Sequence, residues 1–346
     1  MLAEHVFDER EDGGDVVGGE RADAEQGRVK VPVSTTQANG ATRQDMTKHD
    51  FAHGPATIRL GDLEVRRLGY GAMRLPGKDV WGDPDDPERA RKVLRRAVDL
   101  GINFIDTAWY YGPHVSNRLI VEALHPYPRD LVIATKLGGK RLPDKSWAPF
   151  ARPEELREGC EHDLRTLRLE RLDVVHMRYM PSSGVPLAES LDALIDLKKQ
   201  GKIRHLALSN VGRPEIEAAL ERTPIVAVQN LFNVSGGGGQ LAKFTHAEVD
   251  DPHGVLDFCT SRGIAFLPFF PLAVGNVHKV QPALADVARN RGVSPAQVAL
   301  AWLLARSPAM LPIPGTSSVE HLEENWASRS LALEPHEVEA IGKPAA

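Results

Sequence analysis

Eight short apolar runs punctuate the chain, and the stretches between them carry helical periodicity. The first is "RLGYGAM", near residue 70. It is followed by "NFIDTA" (103–108), "LVIATK" (131–136), "LDVVHMRY" (172–179), "IRHLALSN" (203–210), "IVAVQN" (225–230), "IAFLPFFPL" (264–272) and "AMLPIPG" (309–315). Between them stand "PERARKVLRRAVDLG", with proline near its start and glycine past its end, then "RPEELREGCEHDLRTLRL", "PLAESLDALIDLKKQGK" and "SPAQVALAWLLARS". Unbroken apolar strands are buried on both faces. Eight of them alternating with helices predict an α/β fold, the (β/α)8 TIM barrel. A doubly wound sheet is the rival, but it needs a glycine-rich phosphate loop after its first strand. "RLGYGAMRLPG" lacks the G-x-G-x-x-G spacing.

Ahead of the first run, "TIRLGDLEVRRL" alternates apolar and polar residues on either side of Gly61-Asp62, the mark of a β-hairpin. Residues 1–52 have no sustained period and read as a disordered tail, or as sequence upstream of a true start at Met46; the barrel then occupies 53–346. Residues 1–50 hold 11 acids and 6 bases, which accounts for the whole net charge of −5 and leaves the barrel neutral. A neutral barrel excludes the basic face that nucleic acid requires. No apolar stretch is long enough to span a membrane, and "MLAEHVFDER" is not a secretory leader, so the expected compartment is the cytoplasm. Cys160 and Cys259 read as buried thiols rather than a disulfide or zinc framework. His49 and His53 stand four apart, but in such a tail the spacing is attributed to chance, and no metal site is expected. "SGGGGQLAKFTHAEVDDPHG" (235–254) reads as a flexible insertion.

In a barrel of this kind, chemistry sits where strands end and βα loops begin. At those positions stand Asp106, with Tyr111 in its loop, then Lys136, His176, Ser209-Asn210 and Gln229-Asn230. Each has an ordinary role open to it: a helix cap, a solvated lysine, a core histidine. Together they suit proton transfer. A tyrosine with a reference pKa near 10 is a poor acid at neutral pH, a nearby ammonium lowers that value, a carboxylate keeps a buried ammonium charged, and a histidine can orient a carbonyl. The set contains no hydride, which a nicotinamide cofactor would supply.

With "FIDTAWYYG", "VIATK", "LDVVHMRY", "LALSN", "VAVQN", "FFPL" and "IPGTSSVEHLEEN" in this order, roughly residues 57–330 resemble the aldo-keto reductase family. The finer pattern, "GPHVSNRLIVEAL" and "RLERLDVVHMRYM", is similar to a bacterial branch that includes pyridoxal reductases. The resemblance implies a barrel plugged at its bottom by the hairpin, with NADPH lying extended across its mouth. It places the family's catalytic tetrad on Asp106, Tyr111, Lys136 and His176. Tyr111 is preferred to Tyr110 because the family's tyrosine stands five after the aspartate and directly before glycine. Ser209, Asn210 and Gln229 match residues that hold the carboxamide, and Phe269, rather than Phe270, matches the aromatic stacked on the nicotinamide. Leu272, Gly315 and Thr316 fall in the same cofactor-binding motifs, and Ser317, His321, Glu324 and Asn325 match the adenosine pocket. Ser317 to Glu320 also reads as a capping box. Gly315 stands where many relatives carry a basic residue, so NADP is expected with NAD as the alternative. The implied activity is reduction of a small aldehyde or ketone, pyridoxal included, within a cavity walled by Trp81, Trp109, Trp147 and Phe150. The alternative is a cofactor-binding regulatory barrel with little turnover.

Overall fold

The Gly61-Asp62 turn folds back a two-stranded ribbon, β1 (Thr57–Leu60) and β2 (Leu63–Arg66), in the computed structural model, which describes residues 51–234, 249–273 and 281–343. Gly61 takes φ +67°, a left-handed value that glycine adopts without the Cβ penalty. The ribbon's apolar face is buried: Leu60 and Val65 pack with Phe104, Val174, Ala207 and Leu267. Its turn is tied down electrostatically. Asp62 accepts hydrogen bonds from Arg204 (2.5 and 3.2 Å) and lies 2.6 Å from His205 Nε2. Those bonds hold the Asp62 carboxyl well below the usual range.

After the ribbon come parallel strands separated by helices. They are β3 (Tyr70–Gly71), α1 (Pro87–Asp99), β4 (Phe104–Asp106), α2 (Val115–Leu124), β5 (Val132–Arg141), a short antiparallel β6 (Trp147–Phe150), α3 (Pro153–Leu167), β7 (Leu172–Arg178), α4 (Leu187–Lys199), β8 (Ile203–Ser209), α5 (Arg213–Leu220), β9 (Ile225–Leu231), α6 (Pro252–Arg262) and β10 (Ala265–Phe269). Then α7 (Pro282–Arg291), α8 (Pro295–Arg306), α9 (Val319–Ala327) and α10 (Pro335–Gly342) complete the described chain. Helix starts follow the expected chemistry. Asp86 caps α1 by accepting from Arg89 N, and Ser294 and Gln297 cap α8 reciprocally.

Parallel pairing runs β3-β4-β5-β7-β8-β9-β10, and the run 309–314 closes the ring. Phe266 N donates to Ala309 O (2.8 Å) and Leu311 N to Phe266 O (2.9 Å) on one side; Gly69 N donates to Pro312 O (2.9 Å) and Gly71 N to Pro314 O (3.2 Å) on the other. The expected eighth strand is therefore present as a bridge rather than a full ladder. Pro312 and Pro314 lack the N–H groups that would face β3, and only their carbonyls can bond there.

Two expectations need correction. β5 does not stop at Lys136 but continues to Arg141 and turns back on β6, a hairpin above the barrel mouth. Gly138 permits the bend: it takes φ +106°, and a Cβ there would lie 2.5 Å from Arg178 O. The helix after residue 315 is capped by Ser318, whose Oγ accepts from His321 N (3.2 Å), one residue later than the Ser317–Glu320 box required. The Gly-rich segment 235–239 and residues 1–50 lie outside the described residues. Phe51 already packs edge-on against Trp326 (6.3 Å), and Ala52 N donates to Arg329 O (2.8 Å). His53 serves the fold as an acceptor, its Nε2 taking a bond from Leu333 N at 2.9 Å. Cys160 and Cys259 are free and buried, and burial pushes both thiols up to about 12.

Arg67, absent from the sequence reading, is fully buried. Its guanidinium donates to five backbone carbonyls: Met310, His53, Pro55, Leu304 and Ser307, at 2.6 to 3.2 Å. It joins the segment before the ribbon to the end of α8 and the closing run. Arg67→Met should cost at least about 3 kcal/mol, because several buried acceptors lose a charged donor at once. Thermal unfolding checks this, and an unchanged melting temperature would show that other donors replace the guanidinium.

Candidate active site

At the end of β4, Asp106 bonds to side chains from the adjacent β5 and from β9 across the barrel. Its Oδ2 lies 2.5 Å from Lys136 Nζ on β5, and its Oδ1 accepts from Gln229 Nε2 on β9 at 2.9 Å. Lys136 Nζ also donates to Thr107 O (2.9 Å). Asp106 and Lys136 are 3% and 2% exposed, so neither charge is solvated and each depends on the other.

The loop after β4 is tight. Tyr111 N bonds Ala108 O (3.0 Å), Ser116 N bonds Tyr111 O (3.2 Å), and Gly112 takes φ +98°. This places Lys136 Nζ 5.0 Å from the centroid of the Tyr111 ring. The expectation that Lys136 depresses Tyr111 is not met in this arrangement. Burial, then the charge of Asp106, push the phenol above its ordinary value, and Arg178 on β7 is the cation that pulls it back. The physical reason is charge balance: at 2.5 Å the carboxylate cancels much of the lysine's field. Tyr110 stands edge-on to Tyr111 (5.4 Å) and is buried with its hydroxyl unpartnered.

His176 stands on β7 in register with Lys136 on β5 and Ala207 on β8. It is fully buried, and neither ring nitrogen has a hydrogen-bond partner among the described residues. Burial is the main cause that lowers its pKa to about 4, which leaves the imidazole neutral at pH 7 and able to donate one N–H.

Beyond His176, Ser209 Oγ and both side-chain polar atoms of Asn210 are also buried without partners. Asn210 sits at φ +60°, and Asn230 braces the next residue through Nδ2 to Val211 O (2.7 Å) and Oδ1 from Val211 N (3.2 Å). Phe269 ends β10, half-buried against Leu231 and Phe270, with Leu272 just beyond. Gly315 is fixed by a close approach: a Cβ there would lie 2.6 Å from Gly71 O, and 3.3 Å from the stem of Arg74. Tyr70 OH donates to Thr316 O (2.6 Å), and Thr316 Oγ1 accepts from Ser318 N (3.0 Å). Ser317, His321 and Glu324 are exposed around the start of α9, while Asn325 is buried. A carboxamide presents both a donor and an acceptor, which the orphaned atoms of Ser209 and Asn210 can satisfy, so the residues fit a nicotinamide.

The structure brings Asp106, Tyr111, Lys136, His176, Gln229, Ser209 and Asn210 to one end of the barrel. Gln229 is already committed to Asp106 by its amide nitrogen. Of the cavity candidates, Trp109 packs inward, stacked on His162 (5.4 Å, 7°). Trp147 is 40% exposed on β6, edge-on to Tyr110 and covered by Arg141 (4.3 Å). Sequence reasoning missed Arg178. Arg178 was legible as the residue two after His176, hence on the same strand face.

The model of the aldo/keto reductase family matches residues 67–344. A pyridoxine 4-dehydrogenase of Escherichia coli is 45% identical over 282 residues, which cover 80% of this chain and 94% of that protein. An uncharacterized oxidoreductase of Schizosaccharomyces pombe is 40% identical, over 80% of this chain and 86% of its own. Among solved structures, a thermostable aldo-keto reductase in complex with the inhibitor epalrestat superposes with a TM-score of 0.68 at 28% identity, covering 83% of this chain and 98% of that one.

Two outcomes follow for the buried charges. Asp106→Asn leaves a buried ammonium without its carboxylate, which costs about 3 to 5 kcal/mol; an unchanged melting temperature in this variant would oppose the pairing. His176 titrates near 6.5 when unfolded and about 4 when folded. The unfolded chain therefore binds the proton first, and stability is lost as pH falls through that window. His176→Gln should flatten that slope in denaturant titrations.

Proposed function

The chain belongs to the aldo/keto reductase family, and we propose that it reduces an aldehyde or ketone to the alcohol with NADPH, with Tyr111 as proton donor. The observation that carries this reading is the group of buried, unpartnered polar atoms on His176, Ser209 and Asn210 beside the Lys136–Asp106 pair. Buried polar groups are almost always bonded, so a clustered exception points to a ligand. Bound reduced nicotinamide supplies the hydride. The chain's own residues do the rest. Neutral His176 donates a hydrogen bond to the substrate carbonyl oxygen and orients it. Tyr111, protonated at any working pH, gives its phenolic proton to that oxygen as negative charge develops. Arg178 stabilises the phenolate left behind, and Asp106 holds Lys136 in place beside the Tyr111 ring.

NADPH is favoured over NADH by the start of α9. Its free N–H groups and positive dipole end suit a phosphate, with Ser317 and His321 exposed beside it. The acids that would repel a phosphate are engaged elsewhere: Glu320 accepts from Ser318 Oγ (2.6 Å) and Glu323 pairs with Arg96 (2.6 Å). Glu324 is left for the adenine amino group. The 45% identical pyridoxine 4-dehydrogenase makes pyridoxal the first aldehyde to test, and the aromatic rim of Tyr110 and Trp147 suits a planar ring.

The test is NADPH oxidation over an aldehyde panel that includes pyridoxal. Tyr111→Phe should lower kcat by about 10² to 10⁴ with NADPH affinity kept, whereas Tyr110→Phe should stay near wild type; the reverse order would move the acid to Tyr110. The ratio of kcat/KM for NADPH over NADH should exceed one with any accepted aldehyde, and a ratio at or below one would overturn the cofactor preference.

A further inference from the structure

Behind the Lys136–Asp106 pair lies a second polar group that the reaction does not use. Asp163 on α3 is fully buried, with no cation bonded to it. Its Oδ2 accepts from Thr135 Oγ1 (2.7 Å), and its Oδ1 accepts from Asn117 Nδ2 (2.7 Å) on α2. Asn117 Nδ2 also reaches Thr166 Oγ1 (3.0 Å), and Asn117 Oδ1 accepts from Thr107 Oγ1 (2.9 Å). Thr107 directly follows Asp106, and its carbonyl is the second acceptor for Lys136 Nζ; Thr135 directly precedes Lys136. The bonds thus close a ring: Asp106, Thr107, Asn117, Asp163, Thr135, Lys136 and back to Asp106. Thr107, Asn117 and Thr135 are all fully buried.

The ring has a direction. In its ionised form Asp163 can only accept, and it then holds the Asn117 amide nitrogen toward itself. That turns Asn117 Oδ1 toward Thr107 and makes both threonine hydroxyls donors. Burial raises the Asp163 carboxyl to about 7, with the Thr135 and Asn117 bonds opposing the rise. An apolar residue between helix and barrel would avoid this desolvation cost.

We propose that Asp163, acting through Thr135 and Asn117, is a positioning residue that fixes the end of β4 at Asp106 against the stretch of β5 that carries Lys136. The carbonyl of Thr107 and the backbone of Lys136 then have one allowed placement, and the ammonium is held against both acceptors from behind. The catalytic consequence rests on the reductase reading above; the placement itself does not.

The experiment compares wild type with Asp163→Asn, Thr135→Val and the conservative Thr135→Ser. Two readouts are taken: the 15N–1H signal of the buried Lys136 ammonium and steady-state kinetics with NADPH. The amide of Asp163→Asn presents a donor to a donor and Thr135→Val removes one. Both should shift or abolish the ammonium signal and lower kcat about 10-fold or more, as a misplaced group does, with the NADPH dissociation constant unchanged. Thr135→Ser should keep both readouts near wild type. If Asp163→Asn does not fold, Thr135→Val decides. A wild-type ammonium signal in Thr135→Val, or an undiminished kcat in an enzyme that turns over, overturns the proposal even if the melting temperature falls. A wild type that reduces no aldehyde would sink the reductase reading, and the ammonium signal would still judge the positioning.

Discussion

A buried ion pair, Lys136 with Asp106 at 2.5 Å, is the constraint on which the rest of this barrel's upper end depends. Two desolvated charges are tolerable only if their geometry is fixed and their remaining bonding capacity is filled. The structure meets both conditions with parts from several strands and helices. Gln229 fills the second oxygen of Asp106 from β9, Thr107 O takes a second ammonium proton, and the Asn117–Asp163 relay stands behind both. The closed ring of strands places β9 within reach of β4, so the pair needs the whole barrel to exist.

The two ends of the barrel divide the labour. At the bottom, Leu60 and Val65 of the ribbon enter the apolar interior, and Asp62 ties the turn to Arg204 and His205 at the start of β8. Arg67 joins the chain before the ribbon to α8 and the closing run by five bonds to carbonyls. Asp62 and Arg67 there have their charges matched by the bonds just described. At the top, polar atoms of His176, Ser209 and Asn210 are buried without partners.

Much of this was legible in the sequence, for identifiable reasons. The eight runs and the Gly-Asp turn rest on local periodicity, and the structure has them. Asp106 and Lys136 were legible because polar residues interrupt their apolar runs, and His176 because it stands as the polar residue within its own run. What failed was of another kind. The eighth run reads as a strand, but prolines at 312 and 314 cost it the bonds of a full ladder. The β5–β6 hairpin was hidden because the apolar run stops at Lys136, whereas Gly138 allows the strand to bend and continue. Asp163, Asn117 and Arg67 lie on helix faces or strand edges where polar residues look solvated, and only tertiary packing buries them. The direction of Tyr111's shift was misjudged because the lysine's field was counted without its nearby carboxylate.

The central claim is that Lys136 and Asp106 act as one unit. A double-mutant cycle on kcat/KM with Lys136→Met and Asp106→Asn tests it most directly. If the pair is one unit, the double variant is no slower than the slower single variant, because each change alone already removes the function of both. Losses that multiply in the double variant would show two independent contributions and contradict the account.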